Sequence, residues 1–379
     1  MELRKMNCNA FVEQRCRSCS LIEKNYHEAL QEKIDTLSIM FPRALIKDAI
    51  ETTERLGYRN KAKFVVGGTL EAPILGIPSP QDKFTVSPLL DCPIHEAELN
   101  TISLYIKESI KKFLLTPYSL ETRTGEFKYL ILTKAKGTEE VSIRFGMRSS
   151  ESRPRVEKLA KELQEKFLNI KVISFEIQPK HAAIFEGDTY YLTEEKFIQH
   201  DFESFRLVSS TTNFFQVNSE VAKKLYDQIF SRYKDEDINL ALDLFCGVGG
   251  FAFSAARFSN KVIGIELSEN AIECAKTIQS PKVEFYCDDA IKFQEYNKEK
   301  VDLLIVNPPR RGIGEKFSNL ICEIAPTFFV YSSCNPKTLK ADSDIFEKEY
   351  ELECLIPVDM FAMTSHLEVL SFWKRRKSL

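Results

Sequence analysis

Apolar positions along the chain keep one rhythm as far as about residue 205 and another beyond it. In the first stretch, KAKFVVGGTL, FKYLILTKAK, VSIRFGMRS, KVISFEIQ and HAAIFEGDTYYL alternate apolar with polar residues between Gly, Pro and charged turns, which predicts strands. HEALQEKIDTLSIMF and RVEKLAKELQEKF carry the helical repeat instead. The later stretch repeats strand, turn, helix. INLALDLF runs through a glycine turn into FAFSAARF, KVIGIEL runs into SENAIECAKTI, and KVEFYC, VDLLIVN and APTFFVYSS follow as strands. Such a succession predicts a mainly parallel sheet covered by helices. Residues 1–205 are expected to form an α+β domain and residues 206–379 a Rossmann-like α/β domain. In the latter, ligands bind beyond the carboxyl ends of the strands.

Charge and composition narrow the partners. The apolar runs are far shorter than the roughly 20 residues of a membrane span, and the N-terminus lacks the apolar stretch of a secretory signal, so the cytosol is the expected location. A net charge of -3 with a pI near 6.1 excludes a bulk nucleic-acid binder. Contact with RNA would have to come from local patches: Arg55, Arg59, Lys61 and Lys63, Arg123 and Lys128, Arg144 and Arg148, Arg310 and Arg311, or the basic run at 374–377. Ten cysteines in a reducing compartment point to metal ligation or catalysis rather than to disulfides.

Several motifs fall at predicted carboxyl ends. ALDLFCGVGGF places Asp243 and Phe245 at the end of a strand and Gly247, Gly249 and Gly250 before a helix, where glycine lets backbone approach a ligand. Alone this is equally a structural turn. The next strand ends in Glu266, about 20 residues on, where a carboxylate can accept from both ribose hydroxyls, and Ser268 can cap the helix after it. Asp288 and Asp289 follow a third strand, placed either for an adenine amino group or as a helix cap. The turn departs from the spaced G-x-G-x-x-G that cradles pyrophosphate, so S-adenosylmethionine fits better than a dinucleotide.

The fourth strand ends in Asn307-Pro308-Pro309-Arg310, a rigid turn. With an aromatic in place of Arg310 this would suggest methylation of an exocyclic amine, and that reading stays open as an alternative. Cys334 ends the fifth strand, ahead of a helix that Asn335 or Pro336 can start. A helix N-terminus and Arg310 are expected to lower the thiol's pKa. Near the C-terminus His366 and Glu368 fall on one face of a predicted strand. Together Cys334 and Glu368 supply a nucleophile for C6 of a uracil ring and a base for its C5 proton.

These segments resemble the RNA uracil-5-methyltransferases, whose signatures are matched by FFQVN, DLFCGVGGF, GIEL, NPPRRGIG, SSCNP and HLEVL over essentially the whole chain. GYRNKAKFVV and QRCRSCSL make it most similar to the branch that acts on 23S ribosomal RNA. The resemblance implies that Gln216, Phe245, Glu266 and Asn307 contact S-adenosylmethionine, that Cys334 attacks the base and that Glu368 takes the proton. Outside the resemblance, Phe214-Phe215-Gln216 reads equally as the start of an amphipathic helix. Many members have Asp where this chain has Asn307. Many also carry an N-terminal OB-like domain that this chain is expected to lack.

Cys8, Cys16 and Cys19 are spaced C-x7-C-x2-C, with Cys92 far downstream. Spacing allows zinc, an iron-sulfur cluster or ordinary free thiols. The resemblance implies a four-cysteine [4Fe-4S] cluster. The expected activity is methylation of uridine C5 in 23S ribosomal RNA to 5-methyluridine, on a base that leaves its stack, with a transfer-RNA uridine as the alternative target.

Overall fold

A computed structural model describes residues 7–82, 84–181, 185–293 and 299–377. The chain forms two compact units, each assembled from separated segments. Of the described residues, one holds 7–20 together with Glu54–Asn213; the other holds Leu21–Thr53 together with 214–377.

In the first unit, strands β1 (Lys61–Gly68), β2 (Pro73–Pro78), β3 (Val86–Pro88), β4 (Phe127–Lys134), β5 (Val141–Met147), β6 (Ile170–Ile177) and β7 (Asp188–Tyr191) form one sheet. Its order is β3-β2-β1-β4-β5-β6-β7. Only β5 and β6 pair in parallel, and helix Arg153–Lys166 supplies the crossover such a pair needs. Leu99, Ile102 and Ile106 of helix Ala97–Lys112, with Val156, Leu159 and Leu163 of the crossover helix, bury against Phe64, Leu130, Ile143 and Phe175. A hairpin of β8 (Ile198–Asp201) and β9 (Arg206–Ser209) follows.

Part of the cation set expected to meet RNA is spent inside this unit. Arg144 is buried and donates from Nη1 to Oε2 of Glu176 at 2.9 Å. The hydroxyls of Tyr129 and Thr189 donate to the same carboxylate. Lys128 is buried too, its ammonium donating to the carbonyls of Gln178 and Lys180. These side chains hold the sheet together and do not form a surface patch.

In the second unit, β10 (Leu240–Leu244), β11 (Lys261–Glu266), β12 (Val283–Cys287), β13 (Leu303–Val306) and β14 (Phe328–Ser333) run parallel. The sheet order is β12-β11-β10-β13-β14-β16-β15, where β15 (Tyr350–Val358) and β16 (Glu368–Arg375) complete it with β16 antiparallel to both neighbours. This is the Rossmann-like arrangement the strand-turn-helix pattern predicts.

A single boundary between residues 205 and 206 does not describe the chain, because residues 21–53 belong with this second sheet. Asn25 and Glu28 close a capping box that starts helix Tyr26–Met40. Leu37 of that helix and Phe41 just after it enter the core with Leu242, Phe329 and Trp373. Lys33 makes a buried ion pair with Asp359 at 2.6 Å. The chain then runs beside β15, where Leu355 N donates to Leu45 O (2.8 Å) and Ile50 N donates to Pro357 O (2.8 Å). An edge strand leaves such groups unpaired, and this segment satisfies them. An amphipathic helix declares an apolar face but not the sheet that will cover it.

Candidate active site

Parallel strands deliver all their carboxyl ends to one edge. From β12 to β14 that edge carries Asp288, Glu266, the turn from Phe245, Asn307 and Cys334 in spatial order. Because β16 runs backwards, its first residue, Glu368, reaches the same edge, with Ser333 and Val369 in register. Adjacent strands lie about 4.8 Å apart, so the glycine turn after β10 stands roughly 10 Å from Cys334 along the edge.

The cofactor half is built on that turn. Phe245, Gly247 and Gly249 all have positive φ, at 63°, 55° and 92°. At Gly247 a Cβ would meet nothing within 4 Å, so the backbone there faces open space and is free to receive a ligand. Glu266 is aimed at it, its Oε2 accepting from Gly247 N (3.2 Å) and its Oε1 from Ser268 N (3.0 Å). Ser268 caps helix Glu269–Thr277 as expected. Asp289 is the cap of the short turn Ala290–Lys292, while Asp288 accepts from Asp289 N and from Lys292 Nζ, both of which hold its carboxyl below the usual range. Asn307 is half-buried after β13. Gln216 is buried in a non-helical segment that ends at Asn218, the cap of helix Ser219–Tyr233, so Phe214-Phe215-Gln216 does not begin that helix. Below the turn, Asp243 is wholly buried, and burial pushes its carboxyl far up, opposed by the Ala252 N–H.

The catalytic half differs from expectation in two respects. Cys334 is half-buried between β14 and helix Pro336–Phe346, which Asn335 caps by accepting from Lys337 N. Arg310 lines the same cavity and favours the thiol's ionised form, but the net shift is upward: burial raises the thiol's pKa, the charge of Glu368 adds to this, and Arg310 offsets part of it. His366 does not share a strand face with Glu368. It is exposed in the loop before β16, its N–H donating to Thr364 Oγ1. Glu368 is buried instead, and burial raises its carboxyl to about 7 against the Ser332 hydroxyl, which donates to Oε1 at 2.5 Å.

A cavity of about 310 Å³ opens at Cys334. Arg310, Lys337 and His366 line one side, and Lys33, Thr36, Leu37 and Met40 of helix Tyr26–Met40 line the other. That wall was not expected. Its residues recur at i, i+3, i+4 and i+7, the periodicity that predicts the helix without naming its neighbour.

Cys8, Cys16, Cys19 and Cys92 are all free thiols. Burial and the fields of Cys92, Cys16 and Cys8 push Cys19 up to about 12, with Arg59 opposing, so the four stand within electrostatic reach of one another. Among the described residues no group of three or more His, Cys, Asp or Glu is arranged to hold a metal ion.

Comparison with known proteins shows the family. A family model described as tRNA (Uracil-5-)-methyltransferase matches residues 25–284, and a general methyltransferase-domain model matches residues 236–348. The chain is 38% identical to the 23S rRNA (uracil(747)-C(5))-methyltransferase RlmC of Actinobacillus pleuropneumoniae serotype 3 (strain JL03), over 97% of this chain and 98% of that one. The chain belongs to the RNA uracil-5-methyltransferase family. As a uracil-5-methyltransferase it is also 35% identical to the RlmC of Xenorhabdus nematophila, over 97% of this chain and 99% of the relative. Its fold matches the crystal structure of the Pyrococcus abyssi tRNA (uracil-54, C5)-methyltransferase in complex with S-adenosyl-L-homocysteine, with a TM-score of 0.77 at 22% identity, covering 95% of this chain and 86% of that one. The likeness in fold to that enzyme therefore takes in residues of both units, while the α/β methyltransferase sheet is that of the second. No helix among its described residues is long and apolar enough to cross a membrane.

Proposed function

We propose that this uracil-5-methyltransferase methylates C5 of a uridine in 23S ribosomal RNA, using Cys334 as nucleophile and Glu368 as base. Relatives named for that reaction match nearly the whole chain, and one observation carries the residue roles. A half-buried thiol and a buried carboxyl stand on neighbouring strands, at the edge that also bears the open glycine turn.

C5 of uracil is a poor nucleophile. The Cys334 thiolate adds to C6, forming a C–S bond and displacing the ring electrons into an enolate nucleophilic at C5. Bound S-adenosylmethionine supplies the electrophilic methyl group and leaves as the thioether. C5 takes the methyl, Glu368 removes the C5 proton, and the freed electron pair restores the C5–C6 double bond as the thiolate departs. A carboxyl near 7 suits this step, since it is basic enough to accept a proton and still ionised in part at neutral pH. Arg310 favours the thiolate that burial opposes. The target base swings out of its stack into the cavity beside Cys334. Glu266 would hold the cofactor ribose and Asp288 the adenine amino group. Phe245, the Gly247 backbone, Gln216 and Asn307 would complete its site. Methyl transfer from labelled cofactor to unmodified 23S RNA and to transfer RNA tests this, with product mapping. The expected product is 5-methyluridine in 23S RNA, absent for Cys334→Ala. A methylated amine, or a product in transfer RNA alone, would overturn it.

We also propose that Cys8, Cys16, Cys19 and Cys92 hold a [4Fe-4S] cluster. Number and kind of donor match and the four reduced thiols lie in one another's field, although this structure does not draw three or more of them together as a metal-holding group. Methylation consumes no electrons, so the cluster's part is to tie the N-terminal segment to the chain at Cys92. Anaerobic reconstitution with iron and sulfide should give a charge-transfer band lost in Cys92→Ala, with about four irons per chain marking a [4Fe-4S] rather than a [2Fe-2S] centre, both of which four cysteines can hold. Zinc bound in preference to iron would replace that assignment.

A further inference from the structure

The turn that carries Arg310 is held by a carboxylate to which the reaction above assigns no part. Asp342 lies two turns into the helix that follows Cys334 and is buried. Its Oδ2 accepts from Ile313 N (2.9 Å) and from the Tyr331 hydroxyl (2.7 Å), and its Oδ1 accepts from Gly314 N (3.0 Å). Gly312, at φ 77°, has no room for a side chain because a Cβ there would stand 2.4 Å from Asp342 Oδ2. Asn335, next to Cys334, donates from Nδ2 to Arg310 O at 3.0 Å. The 310–314 turn is therefore fastened to the nucleophile's own strand through Tyr331 and to its own helix through Asp342 and Asn335.

We propose that Asp342 is a positioning residue for the nucleophile: by clamping the 310–314 turn it holds the Arg310 guanidinium against Cys334 and so sets how readily the thiolate forms. The proposal rests on Cys334 being the nucleophile. A carboxylate suits the task because two backbone N–H groups and a phenol need three acceptor sites, which an ionised Asp supplies and an amide oxygen does not. Without the clamp, Arg310 swings toward solvent and Cys334 is left to the influences that oppose its ionisation. The groups facing the thiol are Glu368 of β16, Arg310 of the turn, Lys337 of its own helix, His366 of the preceding loop, and Glu32 and Lys33 of helix Tyr26–Met40.

The test is the pH dependence of Cys334 alkylation by iodoacetamide in the full chain, followed by mass spectrometry of the Cys334 peptide. Loss of one opposing charge near a thiol moves its pKa by about one unit. Asp342→Asn should therefore shift the Cys334 midpoint upward by that amount and slow alkylation at pH 7 about tenfold. Methyl transfer should fall similarly at pH 7, recover as pH rises, and leave the KM for S-adenosylmethionine unchanged. Tyr331→Phe, which removes one of the three bonds, should give a smaller shift of the same sign and serves if Asp342→Asn does not fold. An unchanged midpoint in the folded variants, or an activity loss equal at every pH, overturns the proposal. If Cys334→Ala methylates normally, the nucleophile assignment fails instead, whatever the alkylation shows.

Discussion

Both sheets bury a glutamate, and the two are treated differently. Glu176 in the first unit receives the Arg144 guanidinium and the hydroxyls of Tyr129 and Thr189, so its charge is matched where it lies. Glu368, at the edge of the parallel sheet, has the Ser332 hydroxyl as the one influence favouring its charged form, and burial pushes its carboxyl up to about 7. Matched charge of the first kind fixes architecture. An under-matched carboxyl of the second kind sits close to its protonation midpoint at neutral pH, which is where a group that must take up and release a proton works best. The comparison separates charge that builds from charge that is proposed to react.

Breaking the matched site should cost the most. Glu176→Gln leaves the buried Arg144 without its counter-charge, and a denaturant titration should show about 3–5 kcal/mol of lost stability. A loss below about 1 kcal/mol would place the pair among ordinary exposed ones.

The same substitution at the under-matched site should act with the opposite sign. Glu368 has its folded-state pKa raised from 4.5 to about 7. Its contribution is therefore fully present below about pH 4.5 and is lost as pH rises through 7. Glu368→Gln removes that loss, so the variant should match the parent at low pH and exceed it by up to about 3 kcal/mol above pH 8. Thermal denaturation at both pH values checks this. A variant less stable at pH 8 would mean that Glu368 carries a matched charge after all.

The smallest effect belongs to Glu266, whose carboxylate accepts from the backbone N–H groups of Gly247 and Ser268 and is proposed to hold the cofactor ribose. Glu266→Gln should weaken S-adenosylmethionine binding by roughly 1–2 kcal/mol in a calorimetric titration and leave RNA affinity unchanged. Equal losses for both ligands would point to a collapsed turn.

The candidate edge, where the structure brings these strand ends together, was legible because its signals are local. A glycine turn, an acidic residue ending the next strand and a cysteine ahead of a helix cap each lie within a few residues, and a parallel sheet aligns strand ends without further information. What could not be read depends on distant partners. Arg144 looks like a surface cation until Glu176 is found 32 residues away on the neighbouring strand. The upward shift of Cys334 and the burial of Glu368 arise from strands joined only in the fold. Helix Tyr26–Met40 shows its apolar stripe in sequence, but nothing local says that it will leave its chain neighbours to wall the cavity at Cys334.

The central claim is that Cys334 and Glu368 act in succession on one uracil ring, and trapping tests it most directly. With Glu368→Gln the thiol can still add to C6 and the methyl group can still transfer, but the C5 proton stays in place and the thiolate cannot leave. Incubated with S-adenosylmethionine and unmodified 23S RNA, this variant should accumulate a covalent protein–RNA complex. Its digest should yield a Cys334 peptide carrying a methylated uridine, and the double variant with Cys334→Ala should yield none. Normal turnover by Glu368→Gln without any adduct, or an adduct on another cysteine, would contradict the account.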